Sequence, residues 1–395
     1  MLEDSRATGE SYILNQMKSN RVIEAALRSA VEDGVFPGAV LAVRLRGELR
    51  CLVAAGRMAS GDSEVPVQVS TVYDLASLTK PLATTTSILL LVQEARLGLL
   101  DQLSQVLTEL KGSTIGKARI QDLLSHSSGL PGWRPIYEKL EQEGAVAVSP
   151  DHAEQTKQRV MQLIRDEALI YGNGEKSLYS DLGFILLGFM VERISHMSLD
   201  QFAREKVYRP LGSEPLMFCP LLTRRPADRS SFVIEQKRIA PTEFDPWRNR
   251  QLHGEVHDEN AAALGGVAGH AGLFGTAEAV LVVSGAWLAA YHQRPSILAA
   301  HLVRQFATRA SHVPNSSWAL GWDTPSTPSS SGSCLSPMAF GHLGYTGTSL
   351  WIDPICELEV VLLSNRVCPT RKNEKIREFR PLIHDLVYRE YVTGK

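Results

Sequence analysis

Apolar residues first recur with helical spacing between Val22 and Asp33, where Ile23, Ala26, Leu27 and Val31 share one face. Phe36-Pro37-Gly38 breaks that pattern. Ala39 to Leu45 is apolar and β-branched enough for a buried strand, Arg46-Gly47-Glu48 is a tight turn, and Leu49 to Ala55 returns as its hairpin partner. The periodicity then changes. Pro81 to Gly98, Leu103 to Leu110, Ile120 to Ser125, Gln155 to Ile170, Leu182 to Ser195 and Ala277 to Tyr291 all read as helical. A glycine-rich run, Gly265 to Gly272, precedes the last of these. Residues 324–336 are rich in Ser, Pro and Gly and read as a surface loop. Strand-like runs follow at Ser349 to Ile352 and Leu358 to Ser364, split by an Asp353-Pro354 turn. Pro381 to Tyr391 predicts a closing helix with its proline in the first turn.

Strands at both ends and helices between them predict an α+β fold. Both terminal segments build an antiparallel sheet flanked by helices, with a mainly helical region inserted. The expected limits are one domain over 20–392, with a sheet part at 20–75 and 315–392 and a helical part at 76–314. Residues 1–19 form a polar lead-in. A chain of 395 residues suits one large domain or two intimately packed parts.

Charged residues make up 21% of the chain and nearly cancel, for a formal net charge of −2, and no long basic run occurs. Nucleic acid is therefore not an expected partner. The five cysteines are widely spaced with no C-x-x-C, which argues against a disulfide framework or a zinc knuckle. The polar start Met1-Leu2-Glu3-Asp4-Ser5-Arg6 lacks the basic and apolar regions of a signal peptide, so a cytoplasmic location is expected. No apolar stretch approaches the roughly 20 residues that a membrane-spanning helix needs.

Three segments carry candidate chemistry. In Ser77-Leu78-Thr79-Lys80, helical spacing puts Ser77 and Lys80 on one face. A serine hydroxyl needs a base to become a nucleophile, and a lysine can serve when it is neutral. Tyr179-Ser180-Asp181 stands just before an apolar helix, where a phenol can relay protons and Ser180 or Asp181 can cap the helix. His342-Leu343-Gly344-Tyr345-Thr346-Gly347-Thr348-Ser349 is a glycine-punctuated strand edge, able to approach a substrate closely.

In this order and at these separations, the three segments resemble the serine beta-lactamase superfamily. More narrowly they resemble class C beta-lactamases, low-molecular-weight DD-peptidases and family VIII esterases. Phe36-Pro37-Gly38-Ala39, Asp122 to Pro131 (DLLSHSSGLP), Pro210-Leu211-Gly212 and Ser364-Asn365-Arg366 extend the resemblance over roughly residues 20–392. Gly254 to Ala261, with Gly265 to Phe274, resembles a subgroup of penicillin-binding-like hydrolases. The resemblance implies Ser77 as acylated nucleophile, Lys80 as its base partner and Tyr179 as the tyrosine sharing proton transfer. It places His342 and Gly344 at the first and last positions of the Lys/His-x-Gly motif. The N–H groups of Ser77 and Tyr345 would form the oxyanion hole. It implies no cofactor and no metal.

Two residues depart from the family pattern. Asp181 replaces the asparagine of Tyr-x-Asn and has no amide donor. It can instead pair with Lys80 and hold that lysine charged. Leu343 replaces a threonine whose hydroxyl helps grip a carboxylate, a loss for which Thr346 or Thr348 can compensate. Both departures favour a carboxylesterase or amidase acting on a small ester, amide or lactam through an acyl-enzyme. A DD-carboxypeptidase, penicillin-binding protein or class C-like lactamase is the second reading, and a non-catalytic sensor or scaffold the third. His253, His257 and His270, with Asp258 and Glu259, match no standard metal-ligand spacing. His270 is expected to bond locally or line the cleft, and His126 to hold its loop. Gly112 to Ala118 is not a P-loop, and no G-x-S-x-G occurs.

Overall fold

The computed structural model describes residues 18–59, 65–221 and 236–394. Residues 1–17 of the polar lead-in lie outside the described residues. A helix spans 18–32, and the hairpin follows as β1 (Gly38–Leu45) and β2 (Glu48–Gly56). With β8 (Phe340–Leu343), β9 (Ser349–Asp353) and β10 (Leu358–Ser364) it forms an antiparallel sheet ordered β2-β1-β10-β9-β8. Ala39 pairs with Ser364 and Leu45 with Leu358, so the two ends of the chain meet along the middle of the sheet. His342 pairs with Leu350 on the edge strand β8.

Side chains alternate across a strand, and here both faces are covered. Val40, Ala42, Val361 and Leu363 face the core shared with the helical region. Leu41, Val43, Val360 and Leu362 face Ile23 and Leu27 of the first helix and Ile376, Ile383 and Val387 of the last. The sheet is thus a middle layer, which explains why β1 and β10 read as continuous apolar runs.

Helix Ala277–Tyr291 packs on the inner face of the sheet. Arg44 and Glu359, cross-strand partners on that face, form an ion pair at 2.5 Å. Ser284 donates to the same carboxylate, and Arg44 donates to the carbonyl of Leu281. Helix Asp181–Ser195 is buried from Leu182 through Val191, as an apolar helix deep in a core must be.

The closing helix runs Ile376–Tyr388, five residues earlier than expected at its start, so Pro381 lies inside it. The stripe Ile376, Arg380, Ile383, His384 and Val387 is buried along its length, and that packing keeps the first turn helical despite the proline. The helix after Lys80 ends at Gln93, short of the expected Gly98. Gln155 to Ile170 is displaced to Pro150–Arg165. Sequence periodicity also missed a small sheet, ordered β3 (Tyr73–Asp74), β7 (Leu273–Gly275), β4 (Met217–Phe218), and a hairpin of β5 (Phe244–Asp245) and β6 (Arg250–Gln251). Two- and three-residue strands are too short to show a period.

Replacing Glu359 with Ala leaves Arg44 without its carboxylate at the junction of helix and sheet. The expected cost is about 3 kcal/mol of unfolding free energy. Urea denaturation measures it, and a loss below about 1 kcal/mol, the scale of a surface pair, would contradict this account.

Candidate active site

Ser77 is presented by a strained turn. Ala76 adopts φ +47°, a left-handed conformation uncommon for a residue with a side chain. The Asp74 carboxylate holds it there by accepting the Ala76 N–H at 2.8 Å, and accepts the His257 N–H at 2.7 Å on its other oxygen. The pairing of β3 with β7 carries Leu75 against the Leu273 carbonyl. Thr79 Oγ1 donates to the Ala76 carbonyl and accepts the Leu273 N–H, closing the turn.

Helical spacing then brings Lys80 Nζ to 2.9 Å from Ser77 Oγ. The lysine side chain is wholly buried. Its ammonium also lies 2.7 Å from Asp181 Oδ1 and 3.2 Å from the His270 carbonyl, and 4.7 Å from the centre of the Tyr179 ring. The glycine run delivers that carbonyl. A Cβ at Gly269 would stand 2.0 Å from the Phe184 carbonyl, so only glycine lets the segment lie against helix Asp181–Ser195.

Ser180 caps that helix, accepting the Gly183 N–H, and leaves Tyr179 and Asp181 on either side of the cap. His126 Nδ1 accepts the Ser180 N–H at 3.1 Å, and its ring lies 4.6 Å from that of Tyr179. The His126 ring thus bonds the segment that carries Tyr179, where the sequence predicted side-chain bonds within its own loop. Burial pushes the Lys80 ammonium down, but Asp181 and then Tyr179 outweigh it and hold the group above its ordinary value. Burial raises the Tyr179 phenol to about 12, against the opposing effect of Lys80. Burial, and secondarily Lys80, carries His342 down to about 3 and keeps His126 well below its usual range.

The segment read from sequence as one strand edge leaves β8 after Leu343, and the turn Gly344 to Thr348 closes the site. Gly344 allows no side chain, since a Cβ there would lie 1.9 Å from Thr348 Oγ1 and 2.5 Å from the Leu75 carbonyl. Thr346 donates to the Asp74 carbonyl at 2.7 Å and Thr348 to the Leu75 carbonyl at 3.0 Å. Both threonines are buried. Their hydroxyl protons are committed to the Ser77 turn, so in this arrangement neither donates to a substrate in place of the hydroxyl that Leu343 lacks, a question the sequence left open. The Gly344 carbonyl accepts from Arg380 at 2.7 Å and the Tyr345 carbonyl from Arg366 at 2.8 Å.

Ser77, Tyr179, Asp181, His342, Gly344 and Tyr345 all line one cavity of about 630 Å³. Lys80 lies beneath it. Trp133 lines the cavity, whereas Trp322 and Trp351 are buried in packing. His270 lines it too, with Nε2 2.7 Å from Asp258 Oδ1. Sequence reasoning missed Trp318, Arg371 and Arg380, also in the lining, and Asp74 behind the turn. Only Asp74 left a trace in the sequence, as an Asp two residues before the amide it caps. Among the described residues, no group of three or more His, Cys, Asp or Glu side chains could hold a metal ion, and no single helix is long and apolar enough to cross a membrane. None of the five cysteines forms a disulfide.

A helical region set on an antiparallel sheet, with a Ser-x-x-Lys turn facing a glycine-bearing edge strand, defines a class of serine hydrolases. The profile of the family described as Beta-lactamase matches residues 23–384, and the chain belongs to that family. A protein of Escherichia coli (strain K12) named "Putative D-alanyl-D-alanine carboxypeptidase" is 34% identical over 80% of this chain and 75% of its own length. The structure of EstCE1, described as a hydrolase with promiscuous acyltransferase activity, superposes with a TM-score of 0.71 at 19% identity, covering 95% of this chain and all of that one. The octameric penicillin-binding protein homologue from Pyrococcus abyssi gives 0.65 at 20% identity, covering 87% and 72%. At such identities the structures attest to the fold. The chain is a serine hydrolase of the beta-lactamase family.

A methyl group at Gly344 must push the turn after β8 off the Ser77 turn. Gly344→Ala is expected to lower kcat/KM on a nitrophenyl ester about a hundred-fold, the usual cost of an ångström-scale misplacement. Wild-type turnover would contradict the close approach. The buried histidines also make stability depend on pH. Below the ordinary histidine value of 6.5 the unfolded chain binds protons that folded His342 refuses until about pH 3, so stability falls as pH drops through that window. His342→Gln should remove up to ~1.4 kcal/mol per pH unit of that slope. Urea titrations at pH 6 and 4 measure it, and an unchanged slope would refute a neutral buried His342.

Proposed function

We propose that Ser77 is the nucleophile of an acyl-enzyme mechanism, with Lys80 as its proton partner and Tyr179 as a neutral phenol serving the leaving group. The observation that carries the reading is the contact of Lys80 Nζ with Ser77 Oγ at 2.9 Å beneath an open cavity. The N–H groups of Ser77 and Tyr345 form the oxyanion hole in this reading. Arg380 supports it by fixing the Gly344 carbonyl, because the Tyr345 N–H points the opposite way across a planar trans peptide. His342 acts as a neutral wall, its Nδ1 engaged with the Leu343 carbonyl at 2.8 Å.

The substrate class that fits best is a carboxylic ester or simple amide. Leu343 puts an apolar side chain in the cavity lining where a hydroxyl would grip a carboxylate, and Trp133 and Trp318 add aromatic surface. A second reading, a DD-carboxypeptidase, is favoured by the name of the 34%-identical relative and by Arg366 and Arg380 in the same lining. Short-chain nitrophenyl esters and a peptide ending in D-alanyl-D-alanine separate the two. Ester turnover without release of D-alanine supports the first, and the reverse supports the second. Ser77→Ala is expected to lower either activity at least about a thousand-fold, as loss of a nucleophile does. An undiminished rate would sink the acyl-enzyme.

A further inference from the structure

Lys80 has more demands on it than a simple base can meet. Its ammonium touches Ser77 Oγ at 2.9 Å and Asp181 Oδ1 at 2.7 Å at once, so the ion pair does not exclude the serine. An ammonium already carrying three protons accepts no fourth. The proton of Ser77 therefore needs another destination. The groups facing Lys80 are Tyr179 and Asp181 at the start of their helix, His126 from the loop after Ile120–Leu124, His342 from β8, and the His270 carbonyl. Tyr179 keeps its own proton through the neutral range, being raised to about 12. Burial makes His126 and His342 poor acceptors. Asp181 is the anion in contact with Lys80, and it lines the cavity.

We propose that Asp181 is the final acceptor of the Ser77 proton, with Lys80 handing one proton to Asp181 as it takes one from Ser77. This rests on the hydrolase reading above. As Ser77 Oγ bonds to the substrate carbonyl carbon, its O–H bond breaks and the proton goes to Lys80 Nζ. One Nζ–H bond breaks in turn, and that proton goes to Asp181 Oδ1. The carbonyl electron pair moves onto the carbonyl oxygen. Lys80 remains singly positive throughout. The negative charge that began on Asp181 ends on the oxyanion, so the buried site changes no net charge. Collapse of the intermediate sends the proton back through Lys80 to the leaving group as its bond to carbon breaks. Water repeats the cycle on the acyl-enzyme. An amide at position 181 cannot take the proton, so the lysine would have to lose one before each turnover.

The test compares the full chain with its Asp181→Asn, Asp181→Glu and Ser77→Ala variants, using nitrophenyl acetate from pH 5 to 10. Wild type should keep its rate at pH 6 with Lys80 charged. Asp181→Asn should fall about a hundred-fold there, the usual scale of acid–base assistance, and climb about tenfold per pH unit until Lys80 is neutral. That recovery also shows the variant to be folded. Asp181→Glu should restore much of the rate at pH 6, and a proton inventory in mixed light and heavy water should be bowed for wild type and linear for Asp181→Asn. An Asp181→Asn variant with the wild-type rate and pH profile would overturn the relay while leaving Ser77 as nucleophile. A wild-type rate matched by Ser77→Ala would overturn the hydrolase reading and the relay with it.

Discussion

The site is organised around one buried cation. Removing an ammonium from water costs several kcal/mol even after relaxation, and burial is tolerable only when anionic or polar partners replace the lost hydration. Lys80 finds three such partners in segments far apart in sequence: Ser77 one turn away, Asp181 at the head of a buried helix, and the His270 carbonyl at the end of a glycine run. Each is itself held by a second contact. Ser77 rides on the Asp74-capped turn, Asp181 follows a capped helix start, and Gly269 brings the segment carrying His270 in close. Moving any one of them would strand a charge.

The edge strand is tied to the same point from the other side. Thr346 and Thr348 look, as a motif, like substrate-binding hydroxyls. In the folded chain they clamp the turn between β8 and β9 to the carbonyls of Asp74 and Leu75, which immediately precede the Ser77 turn. The strand edge and the serine therefore move as one unit. The cavity wall they leave is apolar at Leu343 and cationic at Arg366 and Arg380.

The layers of the fold were largely legible. Continuous apolar, β-branched runs marked β1 and β10, because a buried strand must present apolar groups on both faces, and the tight turn after β1 marked β2 as its hairpin partner. Helices Asp181–Ser195 and Ala277–Tyr291 were recognisable from their apolar composition and length. The closing helix was misread because Pro381 suggests a helix start by local rules, whereas packing of Ile376 and Arg380 against the sheet extends the helix through it. The short strands of the second sheet carry no periodic signal at all, yet they set the distance between Leu75 and Leu273.

The amino-acid order alone determined which groups share a local face. Ser77 and Lys80 are one helical turn apart, and Tyr179 and Asp181 flank a capping serine, so their pairwise placement follows from backbone geometry. It also named Asp181 as a possible partner of Lys80. Only the tertiary structure decided that the partnership leaves Ser77 in contact, and that the threonines of the turn between β8 and β9 face inward. Those outcomes depend on contacts between residues about one hundred to nearly three hundred positions apart. Such contacts are set by how the sheet, the central helix and the glycine run pack together, and no local spacing encodes them. The Ser77–Lys80 contact was legible in the sequence; which other groups surround that lysine was decided by packing.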